Sequence, residues 1–238
     1  MAIQTVFKRY EVKFLLSKEQ KARLLPQIEK YMQLDKYGRT LIKNLYFDTD
    51  TYRLIRRSLE KPDYKEKLRI RSYGETTPDS TVFVELKKKY NGVVYKRRIP
   101  MQEQLAMAWL RDGGDAPQTQ ITEEIRYFAG YYETLRPTVY LSYEREAYYC
   151  KEGSDLRLTF DDNILCRKGE LSLCAPNYGE PLLPESCVLM EVKCPGGIPL
   201  WLTGLLSREK LYKTSFSKYG TAYQTMIFSK WKENVTNA

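Results

Sequence analysis

The sequence predicts an α+β fold in one domain over residues 1–238: eight β-strands closed into a barrel with a polar interior, and helices packed outside it. Three observations carry that prediction. Residues 81–100 read as a β-hairpin of fixed register, because Asn91-Gly92 supplies the positive φ angles of a two-residue type I′ turn. Most predicted strands alternate between an apolar and a charged face, the period-two signature of a strand with two different environments. The intervening stretches are amphipathic at helical spacing, so they can cover the apolar faces. The charged faces then look at one another, and closing such a sheet encloses a tunnel rather than hydrocarbon.

The hairpin fixes its own pairing. Tyr90 faces Val93, which sets Lys89 opposite Val94, Lys87 opposite Lys96 and Glu85 opposite Arg98. Phe83, Glu85, Lys87 and Lys89 therefore share a face with Val94, Lys96 and Arg98. The other face carries Val82, Val84, Leu86, Tyr95 and Ile99, with Lys88 and Arg97 nearest the turn. Opposed lysines repel, so the charged face reads either as a solvated surface or as an anion site.

Taken in order, residues 7–15 form the first strand, with Arg9, Glu11 and Lys13 against Tyr10, Val12 and Phe14. Ser17 and Gln20 make a capping box for a helix over residues 18–32, whose apolar side is Leu24, Leu25, Ile28 and Met32 and whose kink point is Pro26. Residues 40–48 are a second strand, and residues 51–60 a short basic helix stopped by Pro62. Over residues 64–73, Lys67, Arg69 and Arg71 oppose Leu68 and Ile70. A loop over 74–80 leads into the hairpin, and helices over 102–111 and 122–135 follow, separated by turn-like residues 112–117. Three more strands complete the eight: residues 138–149 (Val139, Leu141, Tyr143 and Arg145 on one face), 156–161 (Arg157, Thr159, Asp161) and 188–193 (Leu189, Glu191, Lys193). A helix over 200–207 and a C-terminal helix reaching about Lys232 end the chain.

The formal charge of +9 and a pI near 9.1 point to an acidic partner. The chain has no histidine, which removes Ser-His and Cys-His triads and His-ligated metal sites, and leaves carboxylates, cations and metal for any chemistry. A Walker loop and a GxGxxG motif are absent too, so a nucleotide must be held by side chains. Five cysteines without a CxxC pair fit reduced thiols. The N-terminus lacks an apolar signal region and no stretch is long enough to span a membrane, so the expected location is cytoplasmic.

The alternation assigns to the tunnel wall the cations Arg9, Lys13, Lys67, Arg69, Arg71, Lys87, Lys89, Lys96, Arg98, Arg145, Arg157 and Lys193, and the carboxylates Glu11, Glu85, Asp161 and Glu191. Buried unpaired charges are very costly. Such a lining is tolerable only around water and a polyanion, with a divalent metal on the acids.

Eight segments in this order, RYEVKF (9–14), LYFDT (45–49), KLRIRSYG (67–74), VFVELKKK (82–89), SYERE (142–146), LRLTFD (156–161), LMEVKCP (189–195) and SFSKYG (215–220), resemble the polyphosphate polymerase domain of the vacuolar transporter chaperone (VTC) family. That family belongs to the triphosphate tunnel metalloenzymes, and the resemblance implies an eight-stranded antiparallel tunnel with flanking helices. It also implies that Lys13, Arg69, Arg71, Lys87, Lys96, Arg98, Arg145, Arg157 and Lys218 grip phosphates and that Glu191 binds metal. Of these, Arg69, Arg71, Lys87, Lys96, Arg98 and Arg145 are the expected catalytic set and Lys13, Arg157 and Lys218 the substrate-binding set, which Lys67, Lys89 and Lys193 join, as Glu85 and Asp161 join the metal set, by their place on the same face. Two positions depart from the wider pattern. Arg9 stands where a Glu-x-Glu-x-Lys strand begins, which fits the polymerase branch, and Ser215 stands where some relatives have a second lysine, with Lys210 and Lys213 as substitutes.

The expected activity is transfer of the terminal phosphate of ATP onto polyphosphate, with Mn²⁺ or Mg²⁺ as cofactor. A tunnel triphosphatase is the alternative enzyme, and a non-catalytic polyanion or RNA binder the alternative class. The twenty tyrosines keep the RNA reading open through base stacking. The expected partners are ATP and polyphosphate or triphosphate, with no specific nucleic-acid sequence, no membrane segment in this chain and a separate membrane or transport partner for any export.

Overall fold

A computed structural model describes residues 6–7, 10–91 and 93–228. Its strands are β1 (Val6–Phe7), β2 (Tyr10–Ser17), β3 (Met32–Leu34), β4 (Thr40–Asp48), β5 (Tyr64–Tyr73), β6 (Thr81–Tyr90), β7 (Val93–Gln102), β8 (Arg136–Cys150), β9 (Arg157–Arg167), β10 (Glu180–Pro181), β11 (Cys187–Cys194) and β12 (Lys213–Thr214). Its helices are α1 (Lys18–Ile28), α2 (Arg53–Leu59), α3 (Glu103–Asp112), α4 (Gln120–Tyr132), α5 (Leu200–Arg208) and α6 (Lys218–Ala222), the last running into a π-helical turn over Tyr223–Phe228. Arg9, Gly92 and the end of the expected C-terminal helix beyond residue 228 lie outside the described residues.

The strands form one antiparallel sheet in the order β1-β7-β6-β5-β4-β8-β9-β11-β2-β12, with β3 added to β8 and β10 to β9. The eight long strands are the eight that alternation predicts. The expected closed ring of eight is corrected to a curled sheet of twelve, because β1 on β7 and β12 on β2 occupy the two edges that a closed ring would pair directly. The curl is tight. β6 and β2 are six places apart in the order, roughly 29 Å on a flat sheet at about 4.8 Å per strand, yet Lys87 Nζ on β6 lies 3.9 Å from Glu11 Oε2 on β2.

The hairpin register is the predicted one, with Tyr90 opposite Val93, Lys87 opposite Lys96 and Glu85 opposite Arg98, and Asn91 takes a φ of 45°. The Ser17–Gln20 capping box opens α1 with both of its reciprocal bonds made. The helix stops at Ile28, short of the predicted Met32, because Met32 to Leu34 instead pair as β3 with Tyr148 to Cys150.

Two apolar clusters cover the convex face. Leu68, Ile70, Val84 and Leu86 pack under α3 and α4 through Met107, Trp109, Ile125 and Phe128. Leu158, Phe160, Val188 and Met190 pack under α1 and α5 through Leu24, Ile28, Leu202 and Leu206. A third cluster differs from expectation: Val139, Leu141, Tyr143 and Leu189, all on the predicted tunnel face, pack with Tyr219, Tyr223 and Ile227 of the C-terminal segment. The polar lining therefore extends over only part of the concave face, since apolar inward side chains are removed from water there by the C-terminal helix.

Candidate functional site

The site is the charged part of the concave face. Pairing across β5, β6 and β7 aligns Lys67, Lys87 and Lys96 in one row and Arg69, Glu85 and Arg98 in the next. Glu85 is 1% exposed and is the counter-charge of this wall. Its Oε2 accepts from Arg69 Nη2 at 2.7 Å and Nε at 2.9 Å, while its Oε1 lies 2.6 Å from Lys96 Nζ and 3.4 Å from Arg98 Nε. Arg71 is placed by Asn44 Oδ1 and the Tyr143 hydroxyl, at 2.9 and 3.0 Å, with Glu85 4.0 Å away.

The opposite wall, β8, β9, β11 and β2, holds three acids. Asp161 is fully buried and accepts from Arg145 Nε and Nη2 at 2.6 and 2.7 Å and from Lys218 Nζ at 2.5 Å. Glu191 lies 3.2 Å from Lys193, 3.3 Å from Lys13, 3.5 Å from Lys218 and 3.8 Å from Arg145. Glu11 contacts Lys13 at 3.4 Å. Lys89 and Arg157 sit further along the same inner faces, opposite Lys65 and Lys193 respectively, and Arg157 is exposed.

Lys218, which lies outside the strands, reaches the lumen because the residue after it is locked. Tyr219 stacks on Tyr46 with ring centroids 4.6 Å apart and donates its hydroxyl to Asp48 Oδ2 at 2.9 Å. Asp48 in turn accepts from the backbone N–H groups of Thr49, Leu54 and Ile55, anchoring the start of α2. The suggested substitutes for a second lysine do not reach the lumen. Lys210 is exposed beyond α5, and Lys213 is exposed and pairs with Phe14, an outward-facing position.

Crowded cations shift one another. Burial and then the charges of Lys87, Lys13 and Lys65 bring Lys67 down to about 8, despite the opposing pull of Tyr46. Burial also lowers Lys96 to about 8, against the pull of Glu85. Burial would raise the Tyr46 phenol, but Arg69, Lys67 and Arg71 outweigh it and bring it to about 8. Glu85 and Glu191 are held well below the usual carboxylate range, because their cation partners outweigh desolvation. Lys218 is raised to about 12, since Asp161 and Glu191 outweigh burial.

Among the described residues no three acids or thiols converge as a metal-ligand set. Glu85 belongs to the cluster of Arg69 and Lys96, whereas Asp161 and Glu191 share Lys218. Glu191, with Asp161 beside it, fits a hard divalent cation of the Mg²⁺ or Mn²⁺ kind, which is commonly held by one or two carboxylates plus substrate phosphates rather than by a protein cage. The buried Thr159 Oγ1, directly opposite Glu191 in the β9–β11 register, has no hydrogen-bond partner among the described residues and is a further oxygen at this place.

Sequence reasoning passed over Lys65, although it shares the parity of Lys67 on the same strand, and it placed Thr159 on the tunnel face without giving it a role. The outward Lys88 and Arg97 find acids on the convex side, Glu66 at 3.6 Å and Glu124 at 2.8 Å. A cavity of about 840 Å³ lies outside the tunnel, lined in part by Lys18, Arg39, Asp162 and Glu185. Its cations are already paired, Arg39 with Asp162 and Lys18 with Glu185, so a phosphate gains little there. No helix among the described residues is long and apolar enough to cross a membrane.

Comparison with known proteins places this geometry. The VTC domain family model matches residues 8–227. A Bacillus halodurans protein described as an adenylate cyclase candidate has the same fold, with a TM-score of 0.58 and 17% identity over 94% of this chain and 100% of that one. A Hippeastrum protein, an adenylyl cyclase candidate described as having a dominant triphosphatase activity, matches with a TM-score of 0.54 and 16% identity over 93% of this chain and 96% of that one. Curated proteins gave no match.

Proposed function

From a chain that belongs to the VTC domain family, we propose a metal-dependent phosphotransferase that moves the terminal phosphate of ATP onto a polyphosphate chain inside the tunnel. The observation that carries this reading is the excess of cations on the concave wall: thirteen described lysines and arginines face four carboxylates, and Lys67 has Lys87, Lys13 and Lys65 as near neighbours. A wall of that charge has a use when several phosphates lie against it.

Arg69, Arg71, Arg98 and Lys96 would hold the triphosphate from one side, and Arg145, Lys13 and Lys218 from the other. A divalent metal at Glu191, when bound, supplies charge neutralisation across the phosphate oxygens. The terminal oxygen of the bound chain attacks the γ-phosphorus, the bond to the bridging oxygen breaks, and ADP leaves with that electron pair. Both oxyanions are already ionised, so no protein base takes a proton, which suits a chain without histidine. The lining residues hold donor and acceptor in line, and such proximity favours the chain over water.

Hydrolysis is the second reading, with water in place of the chain and the same cations on the triphosphate; the activity in the Hippeastrum protein's description favours it. Purified protein with ATP and Mn²⁺ decides. A ladder of phosphate polymers on a polyacrylamide gel, with ADP and little early orthophosphate, is the expected result. Stoichiometric orthophosphate without a ladder assigns the triphosphatase, and neither product with any of several nucleotides and metals assigns a polyanion binder. The cytoplasmic location and a separate export partner belong to the same proposal.

A further inference from the structure

Lys218 Nζ lies between two acids, 2.5 Å from Asp161 Oδ2 and 3.5 Å from Glu191 Oε1, with its side chain 9% exposed and the Tyr143 ring 4.5 Å away. This is where a divalent cation using Glu191 and Asp161 would sit. Four cations, Lys13, Arg145, Lys193 and Lys218, lie within 4 Å of these two carboxylates. A free divalent ion approaching that pair meets net positive charge. A second, independent observation lies at the same place. Thr159 is buried and directly opposite Glu191, yet its hydroxyl has no hydrogen-bond partner among the described residues. A permanent structural ion pair gives no reason to leave that hydroxyl orphaned, since an unpaired buried hydroxyl costs free energy.

We infer that Lys218 is an internal counter-cation that holds the metal's position, so that metal enters together with phosphate and not alone. The inference rests on reading the tunnel as a metal–triphosphate site. The lysine stem is a flexible four-carbon chain with a point charge at its end, while its backbone is fixed by the docked Tyr219 and by Ser217 Oγ, which accepts from Gly220 N at 3.2 Å. An incoming triphosphate draws the ammonium group off Asp161 and Glu191 without moving the helix. The vacated carboxylates of Asp161 and Glu191, with the Thr159 hydroxyl beside them, would hold the metal, and the phosphates that came with it would balance its charge. Lys218 is thus a positioning residue that couples the two ligands.

The test is Mn²⁺ binding, with Mn²⁺ alone followed by loss of the free-ion electron paramagnetic resonance signal and the preformed Mn²⁺ complex of β,γ-imido-ATP followed by isothermal titration calorimetry. The unaltered protein is expected to bind the complex at least tenfold more tightly than Mn²⁺ alone. Lys218→Gln is expected to bind Mn²⁺ alone at least tenfold more tightly than the unaltered protein, and the preference for the complex shrinks. Lys218→Arg, which keeps the charge and forks onto Asp161, is expected to exclude free Mn²⁺ at least as well as lysine, and it serves if the glutamine variant does not fold. Thr159→Val weakens binding of the complex severalfold and Thr159→Ser restores it. The inference is overturned if Lys218→Gln binds free Mn²⁺ no more tightly than the unaltered protein, or if Lys218→Arg binds it more tightly. The readout needs no turnover, so a protein that makes no polymer can still show the exchange, and a working polymerase can still fail it.

Discussion

Lys67 and Lys87 face each other across the β5–β6 ladder, and Lys96 continues the row on β7. Three ammonium groups in register repel one another, and the nearest acids only partly compensate: Glu85 beside Lys96 and Glu11 3.9 Å from Lys87. A multivalent anion relieves that repulsion in a way that simple salt, acting only by screening, does not. Tripolyphosphate at a hundredfold excess over its dissociation constant should stabilise the fold by about 2.7 kcal/mol. For a chain of this size that is roughly 5–10 °C in Tm. Thermal melts in tripolyphosphate against sodium chloride of equal ionic strength check it, and equal responses would exclude a specific site.

The same crowding sets a pH dependence. Lys67 and Lys96 titrate at about 8 in the folded chain against an ordinary 10.5, and Tyr46 at about 8 against 10. Between pH 8 and 10 these three groups hold more protons in the unfolded chain than in the folded one, so the stability they contribute rises with pH across that window and is lost as pH falls through 8. Urea unfolding at pH 7.5 and 9.5 should show the free protein more stable at the higher pH. Saturating tripolyphosphate favours the charged lysines, so it should flatten or reverse the trend, and its binding at pH 8.5 should take up protons measurable by calorimetry in buffers of different ionisation enthalpy.

How far the sequence carried this picture depends on whether a feature is local. The Asn91 turn and strict alternation specify the β6–β7 pairing residue by residue, and one apolar face per strand is enough to say which side is packed. Lys13, Arg69, Lys87, Arg145 and Glu191 were legible for that reason. Alternation reports a face but not what covers it. Val139 and Leu141 alternate inward with Tyr143 and Arg145, yet the C-terminal segment packs against the first three and leaves Arg145 to Asp161. The edge strands β1 and β12 are two residues each, too short for any period. Lys218 sits outside every strand, and its reach depends on Tyr219 docking onto Tyr46 and Asp48, a contact between residues more than 170 positions apart. Only the resemblance of SFSKYG to relatives pointed to it.

Glu85 shares its face with the metal acids, and its contacts give it a part of its own. It is the shared counter-ion of Arg69, Lys96, Arg98 and Arg71. Glu85→Ala leaves four cations uncompensated, and breaking a buried pair in this way costs about 3–5 kcal/mol. The variant should be strongly destabilised without ligand and should regain more stability from tripolyphosphate than the unaltered protein does. Its Mn²⁺ affinity in the presence of a triphosphate should stay within about twofold, a factor worth less than 0.5 kcal/mol. A large loss of Mn²⁺ affinity would return Glu85 to the metal site.

Glu191→Gln separates metal chemistry from phosphate grip. Glutamine keeps the shape and one oxygen, but it removes the charge that faces Lys13, Lys193, Lys218 and Arg145. Metal-dependent turnover should fall by at least a hundredfold, while metal-free tripolyphosphate binding should hold or tighten, because the wall becomes more positive. Arg69→Ala should do the reverse at the binding step, weakening tripolyphosphate by roughly tenfold, the scale of a charge-assisted hydrogen bond. Calorimetric binding without metal, beside a turnover assay with it, distinguishes the two; normal turnover in Glu191→Gln removes Glu191 from the metal site.

The last prediction concerns chain length and rests on Lys65 and Lys89. They pair across β5 and β6, one rung beyond Lys67 and Lys87 on the same inner face, and successive rungs of a strand are about 7 Å apart. Lys65 is lowered by burial and by its neighbours Lys89, Lys87 and Lys61, so this rung adds positive charge further along the wall. On the proposed reading, three phosphates held at Arg69, Arg98 and Lys96 would end before that rung, whereas a longer chain would reach it. The double change Lys65→Ala with Lys89→Ala should therefore leave tripolyphosphate affinity within about twofold and weaken a chain of some fifteen phosphates by roughly tenfold, a difference of about 1.4 kcal/mol. In a polymerase the same variant should release shorter products, because the chain is held less firmly as it grows. Competition binding with tripolyphosphate and with a chain of about that length tests the first part, and gel analysis of products the second. Equal weakening of both ligands would place the rung at the triphosphate itself, and weakening of neither would mean that the chain leaves by another wall.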